Sequence, residues 1–212
     1  MAINNRDKQR TRVVYVPVNT GGGSGGGSQE KIKVGESGLK FANTTFTEIP
    51  EVFDFSDVTN ISQMFSYCTS LTIPPQMDTS KVTSMYRTFY HCFSLTIALP
   101  MNTSNVTNMG GLFQSCTGLT SVPELDLSNV TDAGNMFRVC QSLTDLGGFI
   151  GLKLNLDLSA SSKITHDSLM NVITKAADVT AAPATLTLGS TNLAKLSDEE
   201  KAIATAKGWT LA

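Results

Sequence analysis

Four cysteines are the first candidates for chemistry. Cys68, Cys92, Cys116 and Cys140 lie 24 residues apart at each step. An even number of cysteines invites a disulfide reading in an extracellular chain. The constant spacing argues against it. All four occupy one position of a repeated unit, so their Cβ vectors should run parallel rather than converge. They are expected to be buried free thiols acting as small hydrophobes. No C-x-x-C or C-x-x-H pair occurs, so no zinc site is expected. His91 and His166 are singletons. His91 adjoins Cys92 in one copy only, and nothing in the sequence orients it as a base. His166 follows a predicted helix cap. Outside the Gly/Ser stretch at 21–28 no G-x-S-x-G occurs, and no P-loop or H-E-x-x-H motif is present. No acid, base and nucleophile set can be assembled, so the chain is expected not to be an enzyme and to need no cofactor or metal.

A second set of candidates concerns binding. Asp54, Asp78, Asn102 and Asp126 also recur at 24 residues. If Leu125 and Leu127 point inward, Asp126 points outward, because strand side chains alternate. Stacked units would then carry these groups as a ladder at about 5 Å spacing. One reading is structural, since Asp-x-Ser favours hydrogen bonds to its own backbone. The other is a polar stripe for glycan or protein contact. Calcium is a poor third, because one carboxylate per unit makes no cage. Tyr86, Arg87, Tyr90 and Arg138 are large side chains at positions outside the apolar pattern. Aromatic and arginine side chains are enriched at binding hot spots and are also common on ordinary surfaces. Units differ further at Tyr67, His91, Ser115 and Val139, and at Ile73, Ile97, Ser121 and Asp145.

The elements that position these groups follow from the repeat. Phe65, Phe89, Phe113 and Phe137 keep the 24-residue step, as do Leu71, Leu95, Leu119 and Leu143. Val58, Val82, Val106 and Val130 keep it too, with Thr59, Thr83, Thr107 and Thr131 beside them. The unit reads roughly D-x-S-x-V-T-x-M-x-x-M-F-x-x-C-x-S-L-T. A period of this length means a solenoid or array. Thr59 and its equivalents are predicted to be helix N-caps. Ile61, Met64, Phe65 and Cys68 follow at i, i+3, i+4 and i+7, one apolar face of a two-turn helix. An extended segment then starts at Leu71, and Val122–Leu127 has a strand pattern. One unit cannot bury its own face, so neighbours must stack.

The flanks read as caps. Phe46–Glu51 echoes Leu119–Glu124, placing a degenerate unit before the repeats. After them come a strand pattern at Leu154–Leu158, a helix over Thr165–Ala177 and a strand at Leu186–Leu188. A capping box at Ser197–Glu200 opens a helix to Lys207, and Trp209–Leu211 is the last strand. Residues 21–28 read GGGSGGGS, a flexible coil whether natural or engineered. The expected organisation is a terminal peptide at 1–20, a linker at 21–28 and a cap unit at 29–51. Four repeats at 52–148 and capping repeats at 149–212 follow.

Composition bounds the function classes. The chain has 212 residues, 41% hydrophobic and only 16% charged, with 26 Thr and 21 Ser. Polarity is carried by hydroxyls rather than charge. Net charge is −2, against a strongly basic nucleic-acid binder. Residues 52–150 carry seven acids and three bases, which should repel nucleic acid. No apolar run approaches the roughly 18 residues that span a bilayer. The stretch after the basic start is far shorter than a secretory h-region, so no export signal peptide is expected. Arg10, Arg12, Val13, Val14, Tyr15 and Val16 form a basic, β-prone segment suited to adding onto another protein's sheet. A frayed terminus is the plainer alternative.

The repeats, such as DTSKVTSMYRTFYHCFSLT and NTSNVTNMGGLFQSCTGLT, resemble the BspA-type leucine-rich repeats of bacterial surface proteins over about residues 46–146. The ending, LDLS…THDSLMNVI…LTLG…LAKLSDEEKAIATAKGWTL, resembles the cap of such proteins and of phage structural proteins of gut bacteria. The resemblance implies an α/β fold, a right-handed leucine-rich-repeat solenoid with a short strand and a short helix per 24-residue unit and a C-terminal βα cap. It implies adhesion and binding without catalytic residues. The expectation is a phage virion protein, located in the virion. Residues 1–20 would bind other virion proteins, and the repeats would bind a host-surface glycan or protein. A bacterial cell-surface adhesin and an intracellular scaffold are the alternatives. No nucleic-acid or membrane partner is expected, and a homo-oligomer is left open.

Overall fold

The computed structural model describes residues 32–33, 41–42, 47 and 53–212. The expected terminal peptide, with Arg10, Arg12, Val13, Val14, Tyr15 and Val16, and the Gly/Ser linker lie outside the described residues, as does most of the cap unit at 29–51.

The matched columns point inward. Phe65, Phe89, Phe113 and Phe137 are buried, with Cys68, Cys92, Cys116 and Cys140 and Leu71, Leu95, Leu119 and Leu143 beside them. Phe41 stands one unit before Phe65 and joins the same core. The six rings from Phe41 through Phe137 to Phe149 form one column, with successive centroids 5.4 to 5.9 Å apart and every pair stacked. Adjacent coils are paired in parallel, as neighbouring strands are. Apolar burial across coils supplies the stability that no single unit has.

Bonds between coils run in parallel ladders on two sides. Asn60, Ser84, Asn108 and Asp132 form successive parallel bridges on one side. Next to them, Thr83 donates its backbone N–H to the Thr59 carbonyl, Thr107 to Thr83 and Thr131 to Thr107. Each of these threonines also donates its hydroxyl to the same carbonyl, at 3.1 to 3.2 Å. On the other side Thr96, Thr120 and Thr144 repeat this double bond one coil back. Threonine thus ties each coil to its predecessor twice.

The expected helix in each unit is not formed. The segment from residue 61 to 68 is a run of tight turns. Met64, Ser66 and Cys68 donate to carbonyls three residues back, while Ile61, Gln63, Phe65 and Tyr67 donate to Ser84, Tyr86, Thr88 and Tyr90 of the next coil. Alternate N–H groups are thus spent between coils, which an i→i−4 helix would forbid. Gln63 and Tyr67 have φ of 57° and 59°, the third-position geometry of type II turns. Thr59 and its equivalents act as rungs between coils rather than as helix caps. The apolar spacing was read correctly, since Ile61, Met64, Phe65 and Cys68 are all buried, but tandem turns present the same face.

Strands are few and short. β1 (Ile32–Lys33) pairs with β2 (Phe53–Asp54). β3 (Ser121–Val122) and β4 (Leu125–Asp126) pair with β5 (Asp145–Leu146) and β6 (Phe149–Ile150) of the following unit. In the two preceding units Pro74, Pro75 and Pro100 remove ladder donors from this side, and a single bridge, Ile97 with Ser121, joins it.

The C-terminal cap is more regular. β7 (Leu156–Asp157), β8 (Ala184–Thr187) and β9 (Trp209–Leu211) form one parallel sheet. Between them lie α1 (His166–Lys175), α2 (Gly189–Leu193) and α3 (Asp198–Ala206). Thr165 caps α1, and Ser197 with Glu200 closes the capping box of α3. Lys207 donates to the carbonyls of Ile173, Thr174 and Ala176 at the end of α1, where a cation is favoured.

Candidate functional site

The aspartate column is engaged locally. Leu125 and Leu127 are buried and Asp126 lies outside them, as strand alternation requires. Asp78 accepts from the Ser80 N–H and Asp126 from the Ser128 N–H, each at 2.9 Å. Asn102 accepts from both the N–H and the hydroxyl of Ser104. Bonds from Ser80 hold the Asp78 carboxyl below its ordinary range. These groups shape the turn where the chain leaves the sheet side. Asp54 lies in β2 at the head of the column.

The structure gathers Tyr86, Arg87 and Tyr90 on the outer turn of the second full coil. The Arg87 guanidinium lies 5.0 Å from the Tyr86 ring centroid and 4.9 Å from that of Tyr90. Arg138 is two units further along, and no contact joins it to this group among the described residues. Three further residues complete the cluster: Tyr67 and His91, variable positions where specificity could lie, and Phe93, which the sequence reading did not single out. Tyr67, one coil earlier, meets Tyr90 edge-on at 5.3 Å and stacks on His91 at 4.9 Å. Phe93 meets His91 edge-on at 5.3 Å. Tyr67 and Phe93 are each 43% exposed, among the most exposed large apolar side chains of the protein. A hydrogen bond with Tyr90 holds the Tyr67 phenol above its ordinary value.

Backbone geometry explains the grouping. Arg87 and His91 have φ of 51° and 59°, and equivalent left-handed positions recur at Gly111 and Ser115, then at Asn135 and Val139. Tyr67 and His91 share one such column, so adjacent coils bring them into contact. Their 24-residue spacing was the signal available in the sequence, since both were already visible as variable positions of one column. Gly110 and Gly111 occupy the next coil beside Tyr86 and Arg87. A Cβ on Gly111 would stand 3.0 Å from the Arg87 Cγ, so the arginine stem lies flat where a side chain is missing.

The cysteines sit in the interior. Each thiol donates to the carbonyl of a phenylalanine one coil back: Cys68 to Phe41, Cys92 to Phe65, Cys116 to Phe89 and Cys140 to Phe113, at 3.0 to 3.1 Å. Burial pushes the Cys140 thiol up to about 12 and raises Cys92 and Cys116 as well. Such thiols are not nucleophiles near neutral pH. His166 bridges α1 to α3 through Glu200 at 2.8 Å, with Asp167 on its other nitrogen at 3.2 Å. No group of three His, Cys, Asp or Glu side chains among the described residues is placed to hold a metal ion. No helix among them is long and apolar enough to cross a membrane. What the aromatic cluster offers is stacking surface, phenol hydroxyls and one cation.

Comparison with known proteins gives a family and two similar structures. No curated protein matches the chain. A leucine-rich repeat protein of T. pallidum is 13% identical, over 86% of this chain and 91% of that one, with a TM-score of 0.46. A leucine-rich repeat protein from Bacteroides ovatus is 16% identical, over 78% of this chain, with a TM-score of 0.28. This chain spans 41% of the Bacteroides protein. A family model described as "Mycoplasma protein of unknown function, DUF285" matches residues 38–148, more than half of the sequence. The matched residues include the phenylalanine, cysteine and leucine columns, and the chain belongs to the DUF285 family.

Proposed function

We propose that the protein is a non-enzymatic binding module, a virion component of a phage that displays its repeat coils for attachment to a host surface. The observation that carries the binding reading is the exposed cluster of Tyr67, Tyr86, Arg87, Tyr90, His91 and Phe93 on a scaffold whose other columns are spent on packing. Aromatic and arginine side chains concentrated on one outer turn are the composition of a hot spot. The virion reading is supported by the basic, β-prone segment at residues 10–16, set apart by the Gly/Ser stretch, and by the resemblance of the ending to phage caps. The same cluster would serve a bacterial surface adhesin.

The third coil supplies the test. Tyr86→Gly, Tyr90→Gln, His91→Ser and Phe93→Thr together give the second coil the residues its neighbour carries at those positions. Binding of the full chain to intact host cells should fall by at least about tenfold, roughly 1.4 kcal/mol, while the melting temperature stays nearly constant. Unchanged cell binding would remove the cluster from the function. Deleting residues 1–20 should abolish incorporation into particles. Truncated protein that still enters particles would remove the anchor role of that segment, and absence of the full chain from particles would leave the adhesin.

A further inference from the structure

Three cations occur in the repeat coils between residues 52 and 150: Lys81, Arg87 and Arg138. Lys81 is neutralised by Asp57 at 3.0 Å. Arg87 is different. Among the described residues it has no carboxylate within ion-pair distance and no hydrogen-bond acceptor on its guanidinium. It is held instead by surfaces. The Tyr86 and Tyr90 rings lie at 5.0 and 4.9 Å, and Gly111 of the next coil leaves room beneath the stem. A guanidinium fixed by rings keeps its fork of N–H donors for something else, and that fork matches a carboxylate.

Beside the fork, joined to it through Tyr90, lies a group of aromatic rings. Tyr67 and His91 cover one face of each other with an interplanar angle of 21°, Phe93 meets His91 at 72°, and Tyr67 and Phe93 remain 43% exposed each. Exposed aromatic surface next to the Tyr67 and Tyr90 phenols suits a ring that has an apolar C–H face and polar edges.

We infer that this cluster binds a saccharide bearing a carboxylate. The sugar ring lies against the exposed surface of Tyr67 and Phe93, and the carboxylate is taken by Arg87 between its two tyrosines. The inference rests on the binding reading above and names the chemical class of its ligand. Charge complementarity selects the acid. The surrounding coils are acidic, so a long-range field does not attract an anion. The attraction is local to the arginine, within the roughly 8 Å over which charges act at physiological ionic strength. Removing the carboxylate from the ligand should therefore cost as much as removing Arg87 from the protein.

The test uses the full chain on an immobilised array that pairs acidic and neutral saccharides of the same backbone: polygalacturonate with its methyl ester, and sialyllactose with its methyl ester. Arg87→Gln is a clean variant. Gln63 already occupies the same column with φ of 57°, close to the 51° of Arg87, so the backbone accepts glutamine there. The expected result is binding to at least one acidic member, weakened about tenfold or more both by Arg87→Gln and by loss of the carboxylate. Arg138→Gln should leave it unchanged. Equal binding to the neutral partner, or no binding to either acidic member, overturns the inference. So does displacement from host cells by polyglutamate while no saccharide binds, which would make the ligand an acidic peptide. In these cases the four-residue exchange in the cell-binding assay still decides the broader reading. Loss of attachment there keeps the binding module and discards only the acidic sugar.

Discussion

The second and third repeat coils have the same interior and opposite exteriors. Phe89, Cys92 and Leu95 in one match Phe113, Cys116 and Leu119 in the other, all buried. On the outer turn the second coil carries Tyr86, Arg87, Tyr90, His91 and Phe93 where the third carries Gly110, Gly111, Gln114, Ser115 and Thr117. The same backbone supports both sets. Stability is thus carried by columns that repeat, and the proposed recognition falls to positions that do not. The scaffold asks of the outer positions only that they tolerate a tight turn.

Changes to either side of this division should separate cleanly. The largest effect is expected inside. Phe113→Ala removes a ring stacked between Phe89 and Phe137 and should cost about 3–5 kcal/mol in chemical denaturation. A cost near that of a surface change would mean that the column is not the core. Outside, strain can be relieved. Val139 is β-branched with φ of 64°, at the column position where the second coil has His91. Val139→Gly should stabilise by about 0.5–1 kcal/mol despite the added chain entropy, read as a rise in melting temperature. A smaller loss, about 0.5 kcal/mol, is expected for Thr107→Val, which deletes the hydroxyl bond to the Thr83 carbonyl and spares the backbone rung.

The cap should respond to pH through His166. Asp167 and Glu200 raise the folded-state pKa of His166 above its ordinary 6.5. Its contribution is therefore fully present below pH 6.5 and is lost as pH rises through the raised value. His166→Gln should flatten that part of the stability profile. Asp78 and Asp178, whose carboxyls are lowered by bonds from Ser80 and Thr180, act in the other direction. Their contribution is present above 3.8 and is lost as pH falls through their lowered folded values.

The stacked interior was legible because burial leaves a periodic mark. Every column of Phe, Leu, Val and Cys stands at the same 24-residue step in the sequence and faces inward in the structure. The conformation between those columns was not legible. Spacing of i, i+3, i+4 and i+7 reports which side chains share a face, and a chain of four-residue turns satisfies it as well as a helix does. The pair Gly110–Gly111, with its low helix propensity, was the local sign against a helix. The threonine rungs escaped notice because a threonine before an apolar face also reads as an N-cap. At the site, Tyr86, Arg87 and Tyr90 stood out as large groups off the apolar pattern and do come together. Tyr67 and His91 were visible as variable positions, but their contact depends on how adjacent coils align. Phe93 was missed because its column holds Thr69 and Thr117 in neighbouring units, and nothing local tells a surface phenylalanine from a threonine site.

The threonine rungs have a consequence for how such a molecule can change length. Each rung joins a coil to the one just before it, by the same two bonds, whatever lies farther along. Copying or deleting one 24-residue unit therefore needs no repair elsewhere. Genes of this kind can grow or shrink by whole modules, sliding an outer turn along the stack while the terminal pieces stay as they are.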